Sequence, residues 1–217
     1  KYKAICMNST QVRDWWSGSG FTKLPGSKKG KGHTARTPEA VLAANDARVY
    51  GAYLRGLFTS DGTVHAGIPS LSNKDKKFVL EVQTLMMALG IPTTMDATIG
   101  GKSKKPVYRL RVASGLFCQT FVDKVGFSAT RKAALVSTEV GDWSRADFIP
   151  IPKQLLDEIC PIGHEERATA VRHLHDHRGI ARHVCIRLLN ESGSPELARL
   201  MSFFYDKIHD VKPCGQE

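Results

Sequence analysis

Residues 49–64, VYGAYLRGLFTSDGTV, form an apolar run that ends on an acidic residue, Asp61, followed at once by Gly62. The run reads as a helix: Asp46 supplies an N-cap, the helix proceeds to about Phe58, and TSDG stops it with Gly62 beyond its end. A helix C-terminus carries partial negative charge and favours cations. A carboxylate at that end is therefore electrostatically misplaced unless something positive sits beside it.

Downstream, TVHAGIPSLS holds turn residues between two short extended pieces and predicts a small hairpin. KDKKFVLEVQTLMMALGI carries apolar residues at 78, 79, 82, 85, 86 and 89, which is helical spacing. TTMDATI and VYRLRVA predict a second hairpin around GGKSKKP, and SGLFCQTFVDKVGF a third helix with Ser114 as N-cap. The order from 47 to about 127 is helix, two strands, helix, two strands, helix. In YRLRV, alternation puts Tyr108, Leu110 and Val112 on one face and Arg109 and Arg111 on the other, so one sheet face can pack on helices while the opposite face stays basic. Such a twisted antiparallel sheet can lie along a DNA groove and read base edges from alternate positions.

The 217 residues, 41% of them hydrophobic, suffice for one large domain or two small ones with a core. No run approaches a membrane span, and KYKAICMNST lacks the apolar stretch of a signal peptide, so the expected setting is the cytoplasm, on the nucleoid when bound to DNA. The five cysteines, Cys6, Cys118, Cys160, Cys185 and Cys214, have neither C-x-x-C spacing nor disulfide-scaffold density and read as reduced thiols. The net charge of +10 favours an anionic partner, nucleic acid ahead of a membrane surface. The excess lies in the first two thirds of the chain; a merely solvated basic surface is the competing explanation.

Residues 17–38, SGSGFTKLPGSKKGKGHTARTP, read as an extended basic arm. From about 141 the pattern changes to helices only: IPKQLLDEIC, EERATAVRHLHDH, IARHVCIRLLNES and SPELARLMSFFYDKIHDV. The break at Arg178 and Gly179 resembles a helix-turn-helix, with Arg182, His183 and Arg187 on its second helix; an ordinary pair of bundle helices would look the same. Three parts are expected: a basic N-terminal arm (1–46), an α+β domain (47–140) and a helical subdomain (141–217). RHLHDHRGIARHVC gathers four histidines and Cys185, which would suit zinc. However, i and i+2 side chains diverge on a helix and zinc-finger spacing is missing, so a phosphate-facing basic helix is preferred.

The nine residues LRGLFTSDG, 54–62, resemble the LAGLIDADG signature of homing endonucleases, and the surrounding order matches that family's αββαββα half. The resemblance implies an α+β saddle half with an added helical subdomain, acting as a site-specific double-strand DNA endonuclease. It implies that the 47–58 helix packs on a second copy of itself, with Ala52 and Gly56 at the crossing. Two Asp61 carboxylates would then meet at the base of the saddle, where Mg²⁺ (or Mn²⁺) supplies the missing positive charge, with Gly62 as a further ligand. Thr59 stands where the signature has its first Asp. Asn73 and Lys77, in SNKDKK, resemble the positions that order the catalytic water network. Lys132, with Arg131 beside it in VGFSATRKAAL, resembles the basic residue near the scissile phosphate. The expected DNA contacts are Lys28, Lys29, Lys31, His65, Ser70, Ser72, Lys74, Lys102, Lys104, Lys105, Arg109, Arg111, Arg131, Arg178, Arg182 and Arg187.

IRLLNESGS, 186–194, echoes the motif, but the stretch beyond Ser194 is too short for another ββαββα, so a homodimer and a roughly palindromic target are expected. PEAVL, YGAYLRGLF, RGIARHVCIRLLNES and FFYDKIHDVKP look like the endonuclease insert of a bacterial or phage intein. Without a terminal His-Asn or an initial splicing Cys or Ser, no self-splicing is expected. The alternative is a catalytically inactive, sequence-specific DNA-binding module on the same fold.

Overall fold

The computed structural model describes residues 10–18, 36–99, 105–138 and 147–205. The chain divides into two compact units, 1–139 and 140–217.

In the first unit, helices α1 (Thr10–Gly18) and α2 (Glu39–Leu42) precede the motif helix α3 (Ala47–Asp61). Asp46 caps α3, its side chain accepting from the Arg48 amide, and this pairing with Arg48 lowers its pKa to about 2. The helix buries Gly51, Leu54 and Phe58 on one stripe and leaves Val49, Ala52, Gly56 and Ser60 exposed on another. Strands β1 (Gly62–His65) and β2 (Ile68–Asn73) follow, joined by Ala66 and Gly67, both at positive φ as a tight primed hairpin turn requires. Helix α4 (Lys76–Ala88) is capped by Asp75 and buries Phe78, Val79, Val82, Leu85 and Met86, five of the six periodic positions, with Leu89 buried just beyond its end.

Strands β3 (Thr93–Ile99) and β4 (Pro106–Val112) complete an antiparallel sheet in the order β1-β2-β4-β3. Leu71 pairs with Leu110, and Met95 with Leu110 on the other side, so a continuous apolar face lies against α3 and α4. The third helix is not continuous: Gly115–Phe117 is a 3-10 turn leading into α5 (Cys118–Lys124). Ser114 sits at the start as expected, but its hydroxyl makes no capping bond and, among the described residues, is buried without a partner. A short α6 (Thr130–Ala133) follows.

Of the basic arm expected over residues 17–38, residues 19–35 lie outside the described residues. Besides α1, the residues from Arg36 onward are tied down: Arg36 pairs with Asp75 at 2.5 Å, the Thr37 amide donates to Glu81 at 2.7 Å, and Val41 joins the core.

The second unit corrects the expectation of helices only. Strand β5 (Phe148–Ile149) pairs antiparallel with β6 (Ile180–Ala181), amid helices α7 (Lys153–Ile159), α8 (Arg167–His177), α9 (Arg182–Ser192) and α10 (Pro195–Met201). Arg178 ends α8 in the left-handed conformation at φ 59°. A Cβ on Gly179 would meet the Ile149 carbonyl at 2.9 Å, so the glycine is what lets β6 approach β5. The break that looked like a simple helical turn is a C-cap followed by a strand bridge. The last helix ends at Met201, well short of the run its sequence predicts.

Candidate functional site

Asp61 is the last residue of α3 and is exposed. Among the described residues its carboxylate has no hydrogen bond or ion pair. Gly62 is held there by contact rather than by dihedral angle. Its φ of −72° suits any residue, yet an added Cβ would lie 2.5 Å from the Phe58 carbonyl and 2.9 Å from the Phe58 ring.

The positive charge at this helix end is Lys132. Its ammonium donates to the carbonyls of Thr59 and Gly62 at 2.7 Å each, with those of Phe58 and Ser60 at 3.3 and 3.4 Å. Free carbonyls at a helix C-terminus are what a cation satisfies best. Thr59, the departure from the signature, takes part in the same fastening: its hydroxyl accepts from the Ser128 amide at 2.9 Å. Beneath, Phe58, Phe121 and Phe127 pack edge-on or tilted, with centroids 5.1 to 6.3 Å apart, and the Lys132 ammonium lies 5.9 Å from the Phe127 ring centroid. Lys132 is directed onto the main chain of α3 rather than outward to a phosphate, and the Gly62 carbonyl expected to bind metal is already engaged by an ammonium.

Asn73 ends β2, two residues beyond Leu71, the partner of Gly62. The Asn73 amide oxygen accepts from the Asp75 amide at 2.9 Å, shaping the turn into α4, and Lys77 is exposed on the first turn of that helix.

The sheet's other face is polar. Register places Thr63 opposite Ser70, Ser70 opposite Arg111, and Ser72 opposite Arg109; on the far side Arg111 meets Thr94 and Arg109 meets Asp96. His65, Ser72 and Arg111 are exposed there. Ser70 is buried and shares a 2.9 Å hydrogen bond with Thr63, which removes it from direct contact with a ligand. Arg109 is paired with Asp96 at 2.7 Å, a carboxylate the basic-face reading overlooked. Lys74, Lys105 and Arg131 are exposed, whereas Lys28, Lys29, Lys31, Lys102 and Lys104 lie outside the described residues.

In the second unit, Arg182 is a structural cation and not a DNA contact. It is buried, donates to both Asp147 oxygens at 2.9 and 2.8 Å, and also reaches the Met201 and Phe203 carbonyls. Arg187 donates to Glu166 at 2.5 Å and Arg178 is exposed at the α8 cap. Among the described residues, no group of three or more His, Cys, Asp and Glu side chains is arranged to hold a metal ion. In place of a metal cluster, His173 and His177 group around Phe148, with His177 stacked on it at 4.2 Å.

An exposed carboxylate thus ends a helix that leads directly into a four-stranded sheet with one polar face. Residues 48–126 match the LAGLIDADG-like domain family. Over nearly its whole length the chain is also similar to the replicative DNA helicase DnaB of Rhodothermus marinus, 25% identical over 234 residues that cover 95% of this chain and 24% of the relative. A second relative is the replication factor C small subunit of Methanocaldococcus jannaschii, 24% identical over 140 residues, 64% of this chain and 7% of that protein. The chain thus matches a quarter or less of either relative. Among the described residues no helix is long and apolar enough to cross a membrane.

Proposed function

We propose that this chain is a site-specific double-strand DNA endonuclease of intein origin, acting as a homodimer. The observation that carries the reading is the exposed Asp61 carboxylate, without a partner among the described residues, at the end of a helix whose adjoining face, Val49, Ala52, Gly56 and Ser60, is small and open. Two copies crossing at Gly56 bring two such carboxylates together, and a two-fold axis through the crossing asks for a roughly palindromic site.

Among the described residues the side-chain donor at this helix end is the Asp61 carboxylate, and the adjoining Gly62 carbonyl also accepts from Lys132. Paired carboxylates from two copies suit Mg²⁺ or Mn²⁺, which would contribute neutralisation of the phosphodiester and a water of lowered pKa. The chain's own residues supply the rest. Lys132 and Thr59 fix the helix end so that Asp61 projects from a rigid support, while the sheet's polar face holds the duplex. The intein origin is supported by the relatives themselves: two proteins of different name share this segment over a small fraction of their own lengths, as an inserted element would leave it.

The test is cleavage, with Mg²⁺ or with EDTA, of a DNA library carrying uninterrupted insertion sites, using the native chain and Asp61→Asn. Discrete Mg²⁺-dependent double-strand cuts that vanish in Asp61→Asn are expected. Sequence-specific retention without cutting would establish instead the inactive binding module, a reading favoured by the single carboxylate donor among the described residues at this helix end.

A further inference from the structure

Arg109 and Arg111 lie at alternate positions of β4 and so project from one face, about 7 Å apart along the strand, or two base-pair steps of about 3.4 Å. Their surroundings differ. Arg111 is exposed and among the described residues no ion pair holds it. Arg109 has Asp96 directly across the β3–β4 ladder, which accepts from Nε at 3.2 and 3.3 Å and from Nη2 at 2.7 Å. The carboxylate takes the Nε–Nη2 edge of the guanidinium. It leaves Nη1 and the outer proton of Nη2, the end-on fork, directed away from the carboxylate.

A face built only for phosphate affinity gains nothing from an anion beside its arginine, since the carboxylate repels phosphates and cancels the charge that draws them. Nor does an ion pair this exposed, 40% and 45% for the two side chains, add much to fold stability. What the pair does provide is geometry. An exposed arginine samples many rotamers, and a side-on carboxylate restricts it to those that aim the fork outward.

We propose that Asp96 is a positioning residue that locks the Arg109 guanidinium for end-on, bidentate readout of guanine O6 and N7 in the major groove, making the Asp96–Arg109 pair a specificity determinant. Arg111, without such a buttress, is the adaptable member of the pair and serves affinity. The assignment rests on the DNA-recognition reading above and makes no use of cleavage.

The experiment selects bound duplexes from a randomised pool in EDTA with the full chain, comparing native protein, Asp96→Ala, Asp96→Asn, Arg109→Ala and Arg111→Ala. Thermal unfolding confirms that each variant is folded. The native chain should select guanine at one position per half-site, and Arg109→Ala should lose that preference alone. Both Asp96 variants should relax the same position roughly tenfold or more, while overall affinity at low salt holds or rises with the loss of a negative charge. Arg111→Ala should weaken all sequences alike and lower the salt dependence. If the Asp96 variants bind every sequence more tightly with the preference intact, Asp96 only tunes charge and the proposal is overturned. A native chain that selects no sequence would overturn the DNA-recognition reading itself, and this assignment with it.

Discussion

The Lys132 ammonium lies 2.7 Å from the Gly62 carbonyl and closes the C-terminus of the motif helix α3. A residue 70 positions downstream thus satisfies the free carbonyls beside Asp61. Replacing it by Met would leave these carbonyls to water and remove the cation from the helix end. The expected loss is about 2 kcal/mol, read as a lower thermal unfolding midpoint, and Lys132→Arg should recover part of it. An unchanged midpoint in Lys132→Met would mean that the lysine matters only for DNA.

Three glycines of the motif helix and its end separate fold from assembly. Alanine at Gly51 would place a Cβ 2.3 Å from the Lys124 carbonyl, and at Gly62 one 2.5 Å from the Phe58 carbonyl, both main-chain atoms. Overpacking of this kind costs about 1–3 kcal/mol. Gly56 has nothing within 4 Å of an added Cβ. Gly56→Ala should therefore stabilise the isolated chain by about 0.5–1 kcal/mol, while the same methyl obstructs close approach of a second helix. Sedimentation read beside thermal unfolding would reveal opposite effects; a variant that is both more stable and equally dimeric would rule out helix crossing at this position.

The elements of the first unit were legible because its signals are local. Helical spacing at 78–89, strand alternation at 108–112 and the Asp46 cap each depend on a few neighbouring residues. What was not legible depends on long-range partners. Lys132 resembles any surface lysine until residues 58–62 are brought beneath it, and Arg182 looks like a recognition-helix cation until Asp147 arrives 35 residues away in sequence. The β5–β6 bridge escaped notice because two-residue strands carry no periodicity.

Asp147 and Arg182 form a buried ion pair in the second unit, 1% and 9% exposed. Removing one partner from a buried pair strands a charge, at a cost of about 3–5 kcal/mol. Arg182→Met should accordingly unfold the second unit in urea well before the native chain does, because it also frees the Met201 and Phe203 carbonyls. Asp147→Asn should be nearly as damaging. If Arg182→Met instead kept its midpoint and lost DNA affinity, the residue would be a contact after all.

Acid should loosen the second unit earlier than carboxylate titration explains. The His173 imidazole has its pKa lowered from 6.5, first by burial and then by the charges of Arg172, His183 and His177, with Asp176 opposing them. Its Nδ1 also lies 3.4 Å from the Ala181 amide, as an acceptor that protonation would remove. A folded pKa below the unfolded value means that the unfolded chain binds the proton more readily. The stability tied to neutral His173 is thus complete above about pH 6.5 and falls away as the pH drops through the lower folded value. Between about pH 6.5 and 5, before most carboxylates titrate, the unfolding midpoint of this unit should decline, and His173→Asn, which can accept the same amide but does not titrate, should flatten that decline. An equal slope in the variant would assign the acid sensitivity to other groups.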